Sequence, residues 1–471
     1  MEGIINTKWW VLVAVGSSTF MSALDTSVVN TVLPVISREF GADVALIEWV
    51  VTIYLLVVSG LLLSFGRLGD LRGHKPVFLF GFTIFTLSSA LCGLAPSAHA
   101  LIGFRGLQAL GATMLAANSP AILTKNFPAE QRGQALGLLA TMSYLGLTAA
   151  PSLGGWLTDA FSWRMVFYIN VPVGLLALYF SWRFIPLDAP SQQKERFDLL
   201  GALIFVTGLV TLLLGLNQGH AWGWGSPQIL GLLVGAALSL GLFVIIESRR
   251  DSPMLDLRLF KNPAFSASAA SAVFNYICVF SILFLLPFYL LQGRHLTPSQ
   301  AGLILTAQPV VMAIVAPISG TLSDRIGVQI PSVIGMAILG FGLFLLSRLD
   351  AQSPTLAIVL ALTVAGFGTG TFISPNNSAL MGSAPRHRQG IAAGVLATAR
   401  SVGMVLGVGL AGAIFTTVLS HAQSGGGEES IFLATRISFL AATGVAGLGV
   451  ITSMIRGKTF GFRKKEDSIT I

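Results

Sequence analysis

Asp25 is the only acid inside "MSALDTSVVNTVLP" (21–34), a stretch otherwise made of apolar and small neutral residues. Burial favours the protonated form of such a group, and a neighbouring cation favours the ionised form. A carboxylate held between those effects can load and release a proton as its surroundings open and close. Arg105, inside "FRGLQALGA" (104–112), is the matching cation. Ser18, Ser22 and Asp25 are spaced four and three apart, so a helix gathers them into one polar stripe. On antiparallel helices rising about 1.5 Å per residue, both charges lie roughly 10 Å from the same end. The pair reads either as a proton-exchanging couple or as a fixed ion pair joining two helices.

The elements that must carry these charges are set by composition. Hydrophobic residues make up 54% of the 471 and charged ones only 10%, too few for a soluble domain. Fourteen apolar runs, from 10–33 to 431–455, have the length of membrane helices. The first is too long, and too lacking in a small-residue cleavage site, to be a removable signal. Of the 28 Lys and Arg, five (Arg38, Arg164, Arg294, Arg348 and Arg436) fall on the outer side of that topology and two (Arg105 and Arg400) within helices. All others fall inside, which places both termini in the cytoplasm and makes a nucleic-acid partner unsuitable for the +8 charge. The basic tail 456–465 is suited to anionic lipid headgroups.

Other chemistries lack their groups. Asp25 is the only mid-run acid of 20, with Glu48 and Glu247 at run ends. The six histidines fall in loops or at helix ends, and Cys92 and Cys278 lie in apolar runs as small core residues. Neither a metal site nor any other cofactor is expected. The "GKT" at 457–459 has no phosphate loop before it, and neither Gly-x-Ser-x-Gly nor His-Glu-x-x-His occurs, so neither an ATP-driven pump nor a membrane hydrolase is indicated.

The chain is duplicated. "GRLGDLRGHKP" (66–76) recurs as "GTLSDRIGVQIP" (320–331), with Gly66, Leu68, Asp70 and Gly73 falling on Gly320, Leu322, Asp324 and Gly327. "PAEQRGQALG" (128–137) recurs as "PRHRQGIAAG" (385–394), and at the same offset Gly146 and Gly155 fall on Gly403 and Gly412. The expected architecture is all-α and polytopic. Residues 1–186 form a six-helix repeat, 187–262 a linker with two extra helices, and 263–471 a second parallel six-helix repeat with the tail. In the first loop glycine allows a tight turn, Asp70 can accept from a helix N-terminus, and Arg72 and Lys75 can bridge to carboxylates or lipid phosphates.

At these residues the chain resembles the major facilitator superfamily. Gly66, Leu68, Asp70, Gly73 and Lys75 match its signature loop, with Leu71 and His74 where the family has Arg; Asp324-Arg325 keeps the dyad in the second copy. The resemblance implies that these loops latch the halves together in the outward-facing state. "LDTSVVNTVLP" (24–34) is similar to the first-helix motif of the fourteen-helix drug:proton antiporter branch. Arg105, Gln108 and Gly111 match the fourth-helix motif, in which the Arg takes part in proton coupling. Gly146, Pro151, Gly154 and Gly155 match the fifth-helix antiporter motif, with Ala150 in place of its middle Gly. By resemblance, then, Asp25 and Arg105 couple protons. The first and fourth helices of each repeat line the cavity, with Asn30, Asn118, Asn275, Tyr276, Phe372, Asn376 and Asn377 as candidates for its wall. Such walls suit apolar, planar or cationic ligands.

The expected function is export of hydrophobic or amphiphilic drugs across a bacterial cytoplasmic membrane, driven by the proton gradient, by a monomer embedded in lipid. The alternative is a carrier of a lipid-like amphiphile or an endogenous metabolite on the same architecture. Arg400, with no acid to pair with, reads as structural.

Overall fold

The computed structural model describes residues 2–128, 131–187, 199–249, 257–384, 389–422 and 427–455. The polar linker ahead of the extra helices, the "GKT" segment and the basic tail therefore fall wholly or largely outside the described residues. The elements are helical throughout. In chain order the long ones are α1 (Glu2–Phe40), α2 (Trp49–Arg72), α3 (His74–Gly93), α4 (Ala98–Asn126), α5 (Arg132–Ala160), α6 (Asn170–Phe184) and α7 (Leu199–Trp222). They continue with α8 (Pro227–Arg249), α9 (Pro263–Phe288), α10 (Pro298–Leu305 continued by Ala307–Ile326), α11 (Gln329–Ser347), α12 (Thr355–Gly382), α13 (Gln389–Ala422) and α14 (Gly427–Met454).

Twelve stretches among the described residues are long and apolar enough to cross a membrane, against fourteen apolar runs in the sequence. Neither α5 nor α7 is among the twelve, and α7 supplies only the shorter Leu203–Leu216. Both contain side chains outside the described set. α8 is peripheral: its apolar window is 17% buried, against 67% for the stretch that contains α9. It packs on α7, which in turn packs on α2 and α13.

The expected signature loops are mostly helix. α2 runs through Arg72 and α3 starts at His74, so Gly73 alone makes the turn, at φ +90°. After α10 the break is two residues, Gly327 and Val328, with Gly327 at φ +86°. Only a residue without Cβ adopts that region cheaply, which lets a break of one or two residues reverse the chain.

The duplication extends to packing. α1 pairs with α5, α2 with α4 and α3 with α4; α9 pairs with α13, α10 with α12 and α11 with α12. A Cβ on Gly111 of α4 would stand 2.5 Å from the Phe85 nitrogen, and one on Gly368 of α12 would stand 2.3 Å from that of Leu339. These pairs keep the offsets seen in the sequence. With little apolar driving force between helices in lipid, such backbone-to-backbone approach is a main source of helix association.

Candidate functional site

Five of the first six helices converge on Asp25. Its side chain is fully buried on α1, and Arg105 on α4 is 1% exposed. Arg105 Nη1 donates to Asp25 Oδ2 at 2.5 Å and to Gln108 Oε1 at 2.7 Å. Arg105 Nε donates to the Val50 carbonyl of α2 at 3.1 Å, and the guanidinium lies 4.2 Å from the centre of the Tyr54 ring. Arg105 and Gln108 share a face of α4 at i, i+3, which lets both reach one carboxylate.

The other carboxylate oxygen is also satisfied. Gln108 Nε2 donates to Asp25 Oδ1 at 3.1 Å and Asn170 Nδ2 of α6 donates to it at 3.0 Å. The same two amides donate to Ser89 Oγ of α3, each at 3.1 Å. Ser89 in turn donates to the Phe167 carbonyl at 2.9 Å, anchoring the turn that leads into α6. Asp25 thus accepts three hydrogen bonds, one of them charge-assisted, without contact with solvent.

This arrangement can exchange one cation for another. A proton arriving at Oδ2 would compete with Arg105 for that oxygen, while the two amides would keep their bonds to Oδ1. The freed guanidinium retains Gln108 Oε1, the Val50 carbonyl and the Tyr54 ring, so it stays solvated by protein and remains charged. Protonation would thereby loosen α1 from α4 without unmaking the rest of the network. Gln108 lies in the fourth-helix motif and Asn170 in the run 154–174 that resembles the same antiporter branch, but neither was singled out as a partner of Asp25, and Ser89 and Tyr54 carried no motif signal. A polar residue inside an apolar run at the depth of Asp25 was their only trace.

The other candidate residues have different surroundings. Asn30, Asn118, Asn275, Phe372 and Asn376 are buried in this conformation. Buried amides need partners, yet Asn30 Oδ1 and Asn275 Oδ1 have none among the described residues. Asn30 donates to the Thr26 carbonyl, Asn118 to those of Phe65 and Met114, and Asn376 to that of Ser268. Asn275 donates to Met336 Sδ at 3.5 Å. Gly335 of α11 abuts the Phe372 backbone, its Cβ position 2.7 Å from the Phe372 nitrogen. Tyr276 and Asn377 are half-buried.

In the signature loop Lys75 Nζ donates to the Trp182 carbonyl at 2.8 Å, and Arg72 is exposed, as is Arg325. Gly66 packs near Ala117 of α4. The side chains of Asp70 and Asp324 lie outside the described ones. His74, expected as an ordinary loop residue, is buried at the start of α3, with Nδ1 2.7 Å from Asn118 Oδ1.

The fifth-helix motif lies at the junction of the two halves. Gly146 and Gly154 pack on α1, where a Cβ would stand 2.5 Å from the Phe20 carbonyl and 2.3 Å from Val28, respectively. Gly155 instead faces α10: a Cβ would stand 2.2 Å from the Pro298 carbonyl. Gly302 returns the contact, its Cβ position 2.1 Å from the Pro151 carbonyl. Ser152 and Thr306 share a hydrogen bond at 2.6 Å, and the Ser299 amide donates to Asp159 at 2.8 Å. On the other flank Glu48, buried, lies against Gly412 of α13. These contacts close the halves together at the end remote from Gly73 and Gly327.

Comparison with known proteins agrees with this architecture. A family profile described as Major Facilitator Superfamily matches residues 15–248 and 268–465. The riboflavin transporter RibZ of Clostridioides difficile (strain 630) is 33% identical over 467 residues, covering 99% of this chain and 100% of that protein. The multidrug resistance protein Stp of Mycobacterium tuberculosis (strain ATCC 25618 / H37Rv) is 34% identical over 416 residues, 88% of this chain and 77% of that one. A solved structure, a bacterial homologue of the human lysosomal transporter Spinster in an inward-facing and unoccupied conformation, superposes with a TM-score of 0.70. It covers 96% of this chain and 97% of that one at 15% identity, which speaks to the fold alone. A multi-pass, all-helical chain with paired repeats of packing and a profile match over most of its length belongs to the Major Facilitator Superfamily.

Proposed function

We propose that this transporter is a proton-coupled antiporter of the fourteen-helix drug-export branch, expelling hydrophobic or amphiphilic compounds across the cytoplasmic membrane. In this reading both termini are cytoplasmic, and residues 1–186 and 263–471 move as two halves with α7 and α8 between them. Asp25 carries the proton and Arg105 is the cation it displaces. The observation that supports it most is the shape of the Asp25 network, where a buried carboxylate is satisfied on both oxygens and one donor is an exchangeable cation. Relatives named for multidrug resistance support the substrate class.

The test is efflux of a panel of dyes and antibiotics, with and without a protonophore, by wild type and Asp25→Asn. Export that the protonophore stops and the variant lacks is the expected outcome. Protonophore-insensitive export, or full export by the variant, refutes the proposal. A second reading, carriage of an endogenous metabolite, is favoured by the full-length match to a protein named a riboflavin transporter. Uptake or export of riboflavin that exceeds that of every drug in the panel would select it.

A further inference from the structure

Arg400 is exposed although it lies within the membrane-spanning stretch Gly394–His421. Among the described residues it makes no hydrogen bond and no ion pair; its guanidinium rests over the Tyr276 ring at 5.6 Å from the centroid. An exposed cation at that depth is costly against lipid and persists where water or a ligand meets it. On the stretch of α13 that carries it, α9 and α13 part to leave an open cavity of about 350 Å³, lined by Ala399 but not by Arg400 itself. Its wall includes Phe260, Ala269 and Val273, then Val395, Thr398 and Ala399 on the turn that carries Arg400. Tyr276 continues the Ala269–Val273 stripe by three residues. Thr398 Oγ1 is buried there with no hydrogen-bond partner. A 350 Å³ apolar space with one orphan hydroxyl, and with an exposed cation next in sequence to the lining residue Ala399, has the chemistry of an amphiphile site.

We propose that this cavity binds the substrate, and that the substrate is an amphiphilic organic monoanion. Its apolar body fills the space between α9 and α13, its acidic group pairs with Arg400, and Thr398 donates a second hydrogen bond. The Tyr276 ring holds the guanidinium in place and offers its own face to a planar body. The proposal rests on the transport reading and narrows it: a cationic drug would meet Arg400 as a like charge. It also gives Arg400, read from sequence as structural, a role in choosing ligands.

The test uses three probes that differ only in charge: a para-alkyl benzoate, its methyl ester and the corresponding benzylamine. Binding to purified full-length protein is measured first, in a zwitterionic detergent-free nanodisc of phosphatidylcholine. Wild type should bind the benzoate at least about tenfold more tightly than the ester, equivalent to about 1.4 kcal/mol, and the benzylamine least. Arg400→Gln should remove that preference while ester binding persists, which also shows the variant is folded; Arg400→Lys should restore part of it. Thr398→Val should weaken the benzoate more than the ester. Equal binding of all three probes by wild type, or an equal loss of all three in Arg400→Gln, overturns the proposal. So does displacement of the benzoate by phosphatidylglycerol without benzoate export from everted vesicles, because the site then holds a lipid. The transport reading fails separately, by protonophore-insensitive movement of every probe that binds.

Discussion

Replacing Asp25 by Asn separates a proton carrier from a fixed ion pair. The wild-type carboxylate accepts bonds from Arg105 at 2.5 Å, Asn170 at 3.0 Å and Gln108 at 3.1 Å. Asparagine offers a single oxygen, and its amide nitrogen meets at least one of those three donors head-on. Breaking a buried ion pair from one side costs about 3–5 kcal/mol. Arg105 keeps Gln108 Oε1, the Val50 carbonyl and the Tyr54 ring, so the low end, about 3 kcal/mol, is expected. Converting Arg105 to Gln in the same chain removes the orphaned charge and should recover about 2 kcal/mol of that loss. The two ideas diverge at this point. If the pair only joins helices, the double variant transports as well as its recovered stability allows. If Asp25 carries the proton, single and double variants alike lose pH-gradient-driven transport in everted vesicles, while ligand binding persists. Thermal unfolding of the purified protein reports the stability part, and fluorescence dequenching of a pH-sensitive dye on substrate addition reports the coupling. Full pH-gradient-driven transport by Asp25→Asn, alone or in the double variant, refutes the reasoning.

Other outcomes follow from single contacts. Gly155→Leu and Gly302→Leu put side chains where even a Cβ is 2.2 and 2.1 Å from backbone, so either should prevent closure of the junction and abolish transport with binding retained. A Ser152→Cys/Thr306→Cys pair, at hydroxyls now 2.6 Å apart, should cross-link in wild-type background and fail to do so with Gly155→Leu. Gly73→Ala, at φ +90°, should cost about 1–2 kcal/mol in unfolding free energy, and Gly327→Ala about the same, unlike alanine at the helical, unobstructed Gly235 of α8. Asn170→Leu removes a donor to Asp25 and to Ser89, so it should lower transport rate at unchanged surface expression, measured by vesicle assay beside quantitative blotting.

Much of this molecule is legible in its residue order. Hydrophobic runs dictate membrane helices because no unpaired backbone group survives in lipid, and the order of glycines and loop charges reveals the duplication. Asp25 and Arg105 stand out because so few charges lie in those runs, and their pairing follows from antiparallel helices at one depth. What residue order could not supply was direction within a helix. Asn30, Asn118, Asn275, Phe372 and Asn376 read as cavity candidates, and only the packing shows that all five are buried in this conformation. The same holds for Ser89, Asn170 and Tyr54, ordinary residues made into partners of Asp25 by the crossing of α2, α3 and α6 with α1 and α4. Pro151 and Gly155 reveal their role only where α10 arrives, because two distant segments must meet before a missing Cβ matters. Sequence determined which residues would be rare and costly in the membrane, since that is a property of each side chain in its solvent. Tertiary structure alone decided which of them satisfy one another and which, like Arg400, are left for something else to bind.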